Sequence, residues 1–390
     1  MRGRIRRGER DRESRQGHRI IRRVIGILVG IPLTLLIAFC LLVAYLTVTE
    51  YKPDARETIA VNGTENQAGE KTDKSAENQK GTKEELKAGD LLSVLSWNVG
   101  YGALGDNADF FMDGGKGVKT ASQDRVKENL NEIVTEVKKI NPDFALFQEV
   151  DVNSHRSYGI DESQILGQAI PRGQMTFAYN FKVAFIPYPL PPIGKVNSGL
   201  ATLSRYQIRD ASRTSLPNPF SWPNRLGNLK RCLAVHRIPV SNGKELVLVN
   251  LHLEAYDDGE GKLAQTKVLR ELLEKETEAG NYVIAGGDFN QIFSNVDSSA
   301  FPLHEGKWEP GIINSADFGE GMQLLMDSGT ASCRSLDHPL AGADQKDFQF
   351  YIIDGFICSE NVTVESTQTQ DLNFHASDHN PVVLRARLRE

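Results

Sequence analysis

The segment YVIAGGDFN, residues 282–290, is an apolar run that stops at two glycines and then presents Asp288 and Asn290 on either side of Phe289. Groups two residues apart at a strand end point the same way. One is an oxygen anion and the other both accepts and donates, a pair suited to a cation, a bridging water or a phosphate oxygen. Gly286 and Gly287 let the backbone turn sharply or approach a neighbour closely. An Asx-turn is the plainer use of such a pair. The pattern recurs, however. LLSVLSWNVG ends near Asn98, DFALFQEV near Glu149 and KELVLVNLHLE near His252. QFYIIDGF carries Asp354, and the closing ASDHNPVV carries Asp378 and His379 side by side.

The elements that must position these groups are mostly strands. The runs at 91–99, 144–150, 198–204, 231–238, 244–252 and 282–288 read as strands. Asn242-Gly243 between two of them is a hairpin signal. Two helices stand out. Val126, Leu130, Ile133, Val137 and Ile140 share a helical face that starts after Ser122 and stops at Asn141-Pro142. Leu263, Val268, Leu272 and Leu273 mark a second helix over 262–277. This is an α/β pattern of two packed sheets flanked by helices, with one cleft at the strand termini. The glycine-rich loop after Asn98 lacks the spacing of a P-loop and reads as a rim, with Phe110, Phe111 and Met112 covering the core or meeting an apolar ligand.

The N-terminus is of another kind. Residues 1–23 hold ten arginines against three acidic residues, a net of +7, and Val24–Leu46 follows with 23 residues and no charge. That length spans a hydrocarbon core of about 30 Å. It is too long for the apolar core of a cleaved signal peptide, and no small-residue cleavage site follows it. The reading is a basic cytoplasmic tail (1–23), a single-pass signal-anchor in the lipid bilayer (24–46), a flexible linker (47–89) and an extracellular compact domain (90–390). With −6 for the whole chain, the part beyond residue 23 carries −13. That disfavours a nucleic-acid partner without closing the question. Four cysteines are too few for a disulfide scaffold, and Cys333, His155, His304 and His338 read as structural or surface residues with no zinc cluster among them. No obligate protein partner is expected.

Five motifs in order, SWNVG, FQEV, NLHLE, GGDFN and YIIDGF with SDHNP, resemble the endonuclease/exonuclease/phosphatase superfamily and span most of 90–390. The resemblance implies a DNase I-like four-layer α/β/β/α sandwich and a phosphoester substrate hydrolysed with Mg2+, or with Mn2+ in its place. It implies Glu149 as the main metal ligand, helped by Asn98, with Asp378 assisting at the metal or nucleophile. Asp288 and Asn290 would hold the attacking water and phosphoryl oxygens. His379 would be the general base, Asp354 its orienting partner, and His252 a donor to the phosphate. Arg231 falls where relatives carry a phosphate-binding arginine. The segment QFYIID lacks an arginine frequent in relatives, and no RxPSWCDR-like stretch supports an inositide substrate. Three functions stay open: a phosphodiesterase or phosphatase acting on lipid head groups or small phosphoesters, an extracellular nuclease, and a noncatalytic binding module.

Overall fold

The computed structural model describes residues 2–64, 85–257 and 259–390. It divides into two compact units, 1–50 and 51–390. The first unit is one helix, Arg2–Val48. Within it Ile21–Val48, 28 residues, is long and apolar enough to cross a membrane, and none of that apolar window is buried.

The second unit holds two seven-stranded sheets. One runs, in spatial order, Arg56–Thr58, Asp210–Ser215, Cys232–Pro239, Glu245–His252, Tyr282–Asp288, Asp354–Ser359 and Met322–Leu325. The other runs Val362–Thr369, Val382–Leu388, Leu91–Asn98, Phe144–Asp151, Gly194–Ser204, Gln174–Ile186 and Asn62–Gly63. Strand alternation sorts their side chains into layers. Leu92, Val94 and Leu146 of one sheet meet Leu246, Leu248, Ile284 and Phe356 of the other in a central core. The opposite faces, Leu95, Trp97 and Phe147, pack on Val126, Leu130 and Ile133 of helix Gln123–Ile140. Val247, Val249 and Val283 pack on Leu269 and Leu273 of helix Glu260–Glu278. The order of layers is therefore α/β/β/α, and each fully buried leucine or valine contributes roughly 1.5–3 kcal/mol.

The helix caps follow from local sequence. The Ser122 hydroxyl accepts from the Arg125 N–H at 3.2 Å, and Asn141 ends that helix in the left-handed region at φ 56°. Each helix is a crossover between parallel strands, Leu91–Asn98 to Phe144–Asp151 and Glu245–His252 to Tyr282–Asp288. A parallel crossover returns the chain in the same direction, so Asn98 and Gln148, and likewise His252 and Asp288, finish at the same end of their sheet.

The linker expected over 47–89 needs correction. Arg56–Thr58 pairs with Ser212–Thr214, Asn62–Gly63 pairs with Gln174–Met175, and Leu86 is buried and bridges to Val240. Arg56–Thr58 and Asn62–Gly63 each extend one edge of a sheet, pairing backbone groups that would otherwise be unpaired there. Three residues are too few to show a period, so polar composition hid them. The rest of the expected linker, residues 65–84, lies outside the described residues.

Candidate active site

The register of the first sheet builds half of the site. Asp288 faces His252 across the parallel pairing and Asp354 across the antiparallel one, so three chemically active side chains stand in one row. The two glycines before Asp288 make this row possible. A Cβ on Gly286 would come within 2.5 Å of the Phe356 ring. One on Gly287, at φ +156°, would come within 2.0 Å of the Leu251 carbonyl oxygen. Phe289 turns inward onto Phe293, with ring centroids 4.8 Å apart. An Asx-turn is also present, since Asp288 Oδ1 accepts from the Asn290 N–H at 2.9 Å. Asn290, at φ 51°, donates from Nδ2 to the Leu253 carbonyl at 2.9 Å.

The second sheet supplies the facing half. Glu149 has φ 56° and sits where the register between Phe144–Asp151 and Gly194–Ser204 slips between Phe147 and Val150. Such a bulge re-aims a side chain out of the ladder. The Asn98 Nδ2 group joins the two sheets, donating to Glu149 Oε1 at 3.2 Å and to Asp288 Oδ2 at 3.1 Å. Its oxygen accepts the Gly100 N–H at 3.1 Å, so in this arrangement the amide orients Glu149 with its nitrogen. Behind it Gln148 Nε2 donates to Asn250 Oδ1 at 2.8 Å, and Asn250 Nδ2 reaches the carbonyls of Phe147 and Ala201. That buried amide clamp holds the sheets in register beneath the site.

His379 arrives on the segment before Val382–Leu388. Its Nδ1 lies 2.8 Å from Asp354 Oδ2, and its Nε2 lies 3.8 Å from Asp288 Oδ2 and 3.5 Å from Asn98 Nδ2. Burial pulls the imidazole down, but the Asp354 carboxylate outweighs it and holds His379 well above the usual histidine range. His252 goes the other way. Burial, with Arg231 and His379 adding to it, pushes His252 well below that range, which keeps it neutral. Its Nε2 is 3.5 Å from Asp288 Oδ2. Burial and the Asp354 charge raise Asp288 to about 7, although His379 opposes them. Asp378 is also raised to about 7, by burial first, with Glu149 adding to it.

Arg231 is buried and committed elsewhere. Its Nε donates to Glu254 Oε2 at 3.2 Å and its Nη1 to the His252 carbonyl at 3.1 Å, so it braces the His252 strand end. Cys333 departs from expectation. Its sulfur lies within 4.8 Å of the ligand atoms of Asp378 and His379. Burial raises its thiol to about 12. Two arginines went unnoticed in the sequence. Arg156 forks onto Asp151 with two 2.9 Å bonds and lies 3.7 Å over the Tyr101 ring. Its only signal was an arginine five residues past the aspartate that ends the Glu149 strand. Arg334 is buried and donates to the carbonyls of Ser335 and Gly105 at 2.9 and 2.8 Å, tying the glycine-rich loop to the site. No local pattern announces it.

All these groups meet at one cavity of about 1060 Å³, lined by Glu149, Arg231, His252, Asp288, Asn290, Asp378 and His379. Asn98 and Asp354 stand just behind that lining. The donor set fits a hard divalent cation. It offers oxygens from several buried acids, two of them raised to about 7 by burial and neighbouring carboxylates.

Two mixed sheets between helices, with carboxylates and histidines at the joined strand ends, define a DNase I-like fold. The Endonuclease/Exonuclease/phosphatase family profile matches residues 95–379, and the chain belongs to that family, whose members are phosphoesterases or nucleases. No individually curated protein matches the sequence. Among solved structures, an endonuclease/exonuclease/phosphatase from Beutenbergia cavernae DSM 12333 is 18% identical, with a TM-score of 0.50, covering 77% of this chain and 72% of that one. TDP2 from C. elegans is 17% identical, with a TM-score of 0.46 and coverage of 78% and 77%. ANGEL2, a 2',3'-cyclic phosphatase, is 13% identical, with a TM-score of 0.49 and coverage of 77% and 96%.

Proposed function

We propose that the chain is a membrane-anchored, divalent-metal-dependent phosphoester hydrolase whose catalytic unit faces outside the cell and acts on lipid head groups or small phosphoesters. The observation that carries this reading is the row of His252, Asp288 and Asp354 closing on His379. Glu149 and Asp378 would hold a magnesium or manganese ion, which when bound polarises a phosphoryl oxygen. Asn98 keeps the Glu149 carboxylate aimed. In its neutral form, reached above its raised pKa, His379 takes the proton of the attacking water at Nε2. Asp354 receives the Nδ1–H, which sets the tautomer and stabilises the imidazolium as it forms. Asp288, adjacent to that Nε2, orients the water, with Asn290 beside it. His252 is neutral and donates to a phosphoryl oxygen, and Arg231 fixes the strand end from which it does so. The new bond joins water oxygen to phosphorus, the ester oxygen leaves, and the water proton rests on His379.

The test is a side-by-side assay with magnesium on DNA, RNA, sphingomyelin, phosphatidylinositides and simple phosphomonoesters. Turnover of a lipid or small phosphoester that stops on chelation and returns with magnesium is expected. Turnover of DNA or RNA alone would replace this reading with the nuclease one. Orientation has its own test, because the arginine-rich tail should stay inside. Protease added to intact cells or spheroplasts should remove the catalytic unit, and full protection there would refute the outside placement.

A further inference from the structure

The mouth of the catalytic cavity is framed by loops whose tips are apolar and in water. Leu190 is 84% exposed, Tyr188 70%, Trp222 52%, Leu303 51% and Met112 50%. They come from four separate segments, and they converge. Phe111, Tyr188, Phe220 and Trp308 all line the cavity. The Phe111 and Tyr188 rings are 6.1 Å apart, edge to face. Two of the loops, IPYPLPPI over 186–193 and LPNPFSWP over 216–223, contain no charged residue. Scattered exposed apolar side chains are ordinary, but a converging set of aromatic and aliphatic tips around one opening marks a contact surface. The prolines hold these tips ready in advance, so less ordering is lost on contact.

Charge indicates what they touch. The part of the chain beyond residue 23 carries −13, yet residues 163–244, which supply both uncharged loops, hold eleven lysines and arginines against one acid, Asp210; with Arg209, Arg231 and Arg237 paired to Glu245, Glu254 and Glu276, eight remain. Lys182 and Lys195 flank the first loop in sequence, and Arg225 and Lys230 follow the second. Apolar tips with tyrosine and tryptophan, bordered by cations, match a bilayer surface, where tips enter the acyl region and cations meet phosphate. The chain also carries a candidate membrane span of its own.

We propose that this rim docks on an anionic lipid bilayer and that the substrate is a phosphoester lipid taken from it, the head group reaching Asp288 and His379 while the apolar part stays along Phe111, Ile186, Ile193 and Phe220. The substrate part rests on the hydrolase reading above, and the docking part does not. The chain has three tryptophans, Trp97, Trp222 and Trp308, and none lies in the apolar helix. Fluorescence therefore reports on the catalytic unit alone.

The experiment reconstitutes the full chain in vesicles of phosphatidylcholine and phosphatidylglycerol, with acyl chains either brominated or plain. Bromine should quench the emission, and Trp222→Phe should abolish the difference. Equal emission in both vesicles overturns docking, whether the rim is instead covered by a second copy or by another protein. A Leu190→Asp, Trp222→Asp double variant changes two exposed residues that do not line the cavity. It should lower turnover of the vesicle-borne phosphoester by about tenfold or more while a soluble aryl phosphodiester is hydrolysed as before. Equal loss on both substrates, or loss on neither, overturns the substrate inference. If the wild type hydrolyses no phosphoester, the hydrolase reading fails while the bromine arm still decides docking.

Discussion

Replacing Asp354 with asparagine tests the acid–base arrangement with little change in shape. Asp354 and His379 are both buried, and their contact is 2.8 Å. Asparagine can still accept the Nδ1–H, so the ring should stay in place. What is lost is the charge that favours imidazolium as the water proton arrives. Two unit charges about 4 Å apart attract by about 4 kcal/mol at an effective dielectric constant near 20. A neutral hydrogen bond returns about 1 kcal/mol of this. The remaining cost of about 3 kcal/mol corresponds to roughly 10²-fold in kcat. The pH profile should move as well. His379 is held well above its usual range by Asp354 against the effect of burial, so its protonated form favours the fold. That stabilisation is complete below the unfolded value near 6.5 and disappears as pH rises through the folded one. Without the carboxylate charge, the largest opposition to burial is gone and the imidazole falls. The acid limb of kcat/KM, which requires neutral His379, should therefore shift to lower pH while the plateau drops. The assay is steady-state hydrolysis of an aryl phosphodiester at saturating magnesium from pH 5 to 9, with circular dichroism to verify the fold. Adding His379→Ala should cost little more than His379→Ala alone, because the two act as a unit. A variant with wild-type kcat and an unmoved acid limb would refute the dyad.

Glu149→Gln keeps volume but removes a charge, so magnesium should no longer raise Tm by calorimetry, and turnover should fall to the level seen with EDTA. In the wild type that magnesium-induced rise should be larger at pH 8 than at pH 6, since Asp288 and Asp378, both at about 7, are protonated at the lower pH. A pH-independent rise would count against a site that includes these acids. His252→Ala should lower kcat by roughly 10²-fold, the scale for removing one donor to a developing oxyanion, and leave the acid limb in place; a shifted limb would make His252 the base. Gly287→Ala should lower stability by about 3 kcal/mol or more, read as a fall in the urea midpoint, because its Cβ would meet the Leu251 carbonyl, a backbone atom within the sheet. An unchanged midpoint would show that the strand can shift to admit it.

The apolar helix, both amphipathic crossover helices and the strand ends carrying Asn98, Glu149, His252 and Asp288 were legible in the sequence. Each is a local property, written in period, length or capping residues within one window. The edge strands at 56–58 and 62–63 were not, since pieces so short owe their conformation to the sheet that receives them. Asp354 and His379 could be named from their motifs, but their 2.8 Å contact depends on antiparallel pairing between strands 66 residues apart, Asp288 with Asp354. The opposite pKa shifts of two buried histidines belong to tertiary structure as well. Burial lowers both, and at His379 the Asp354 carboxylate leads the groups that reverse it. Likewise no window contains Arg334, Arg156 and the ring of apolar loop tips together. Sequence determines which groups a strand carries to its end. Which ends share a cavity is decided by crossover direction, strand register and the packing of one sheet on the other, because those alone bring charges within the few ångströms over which they act.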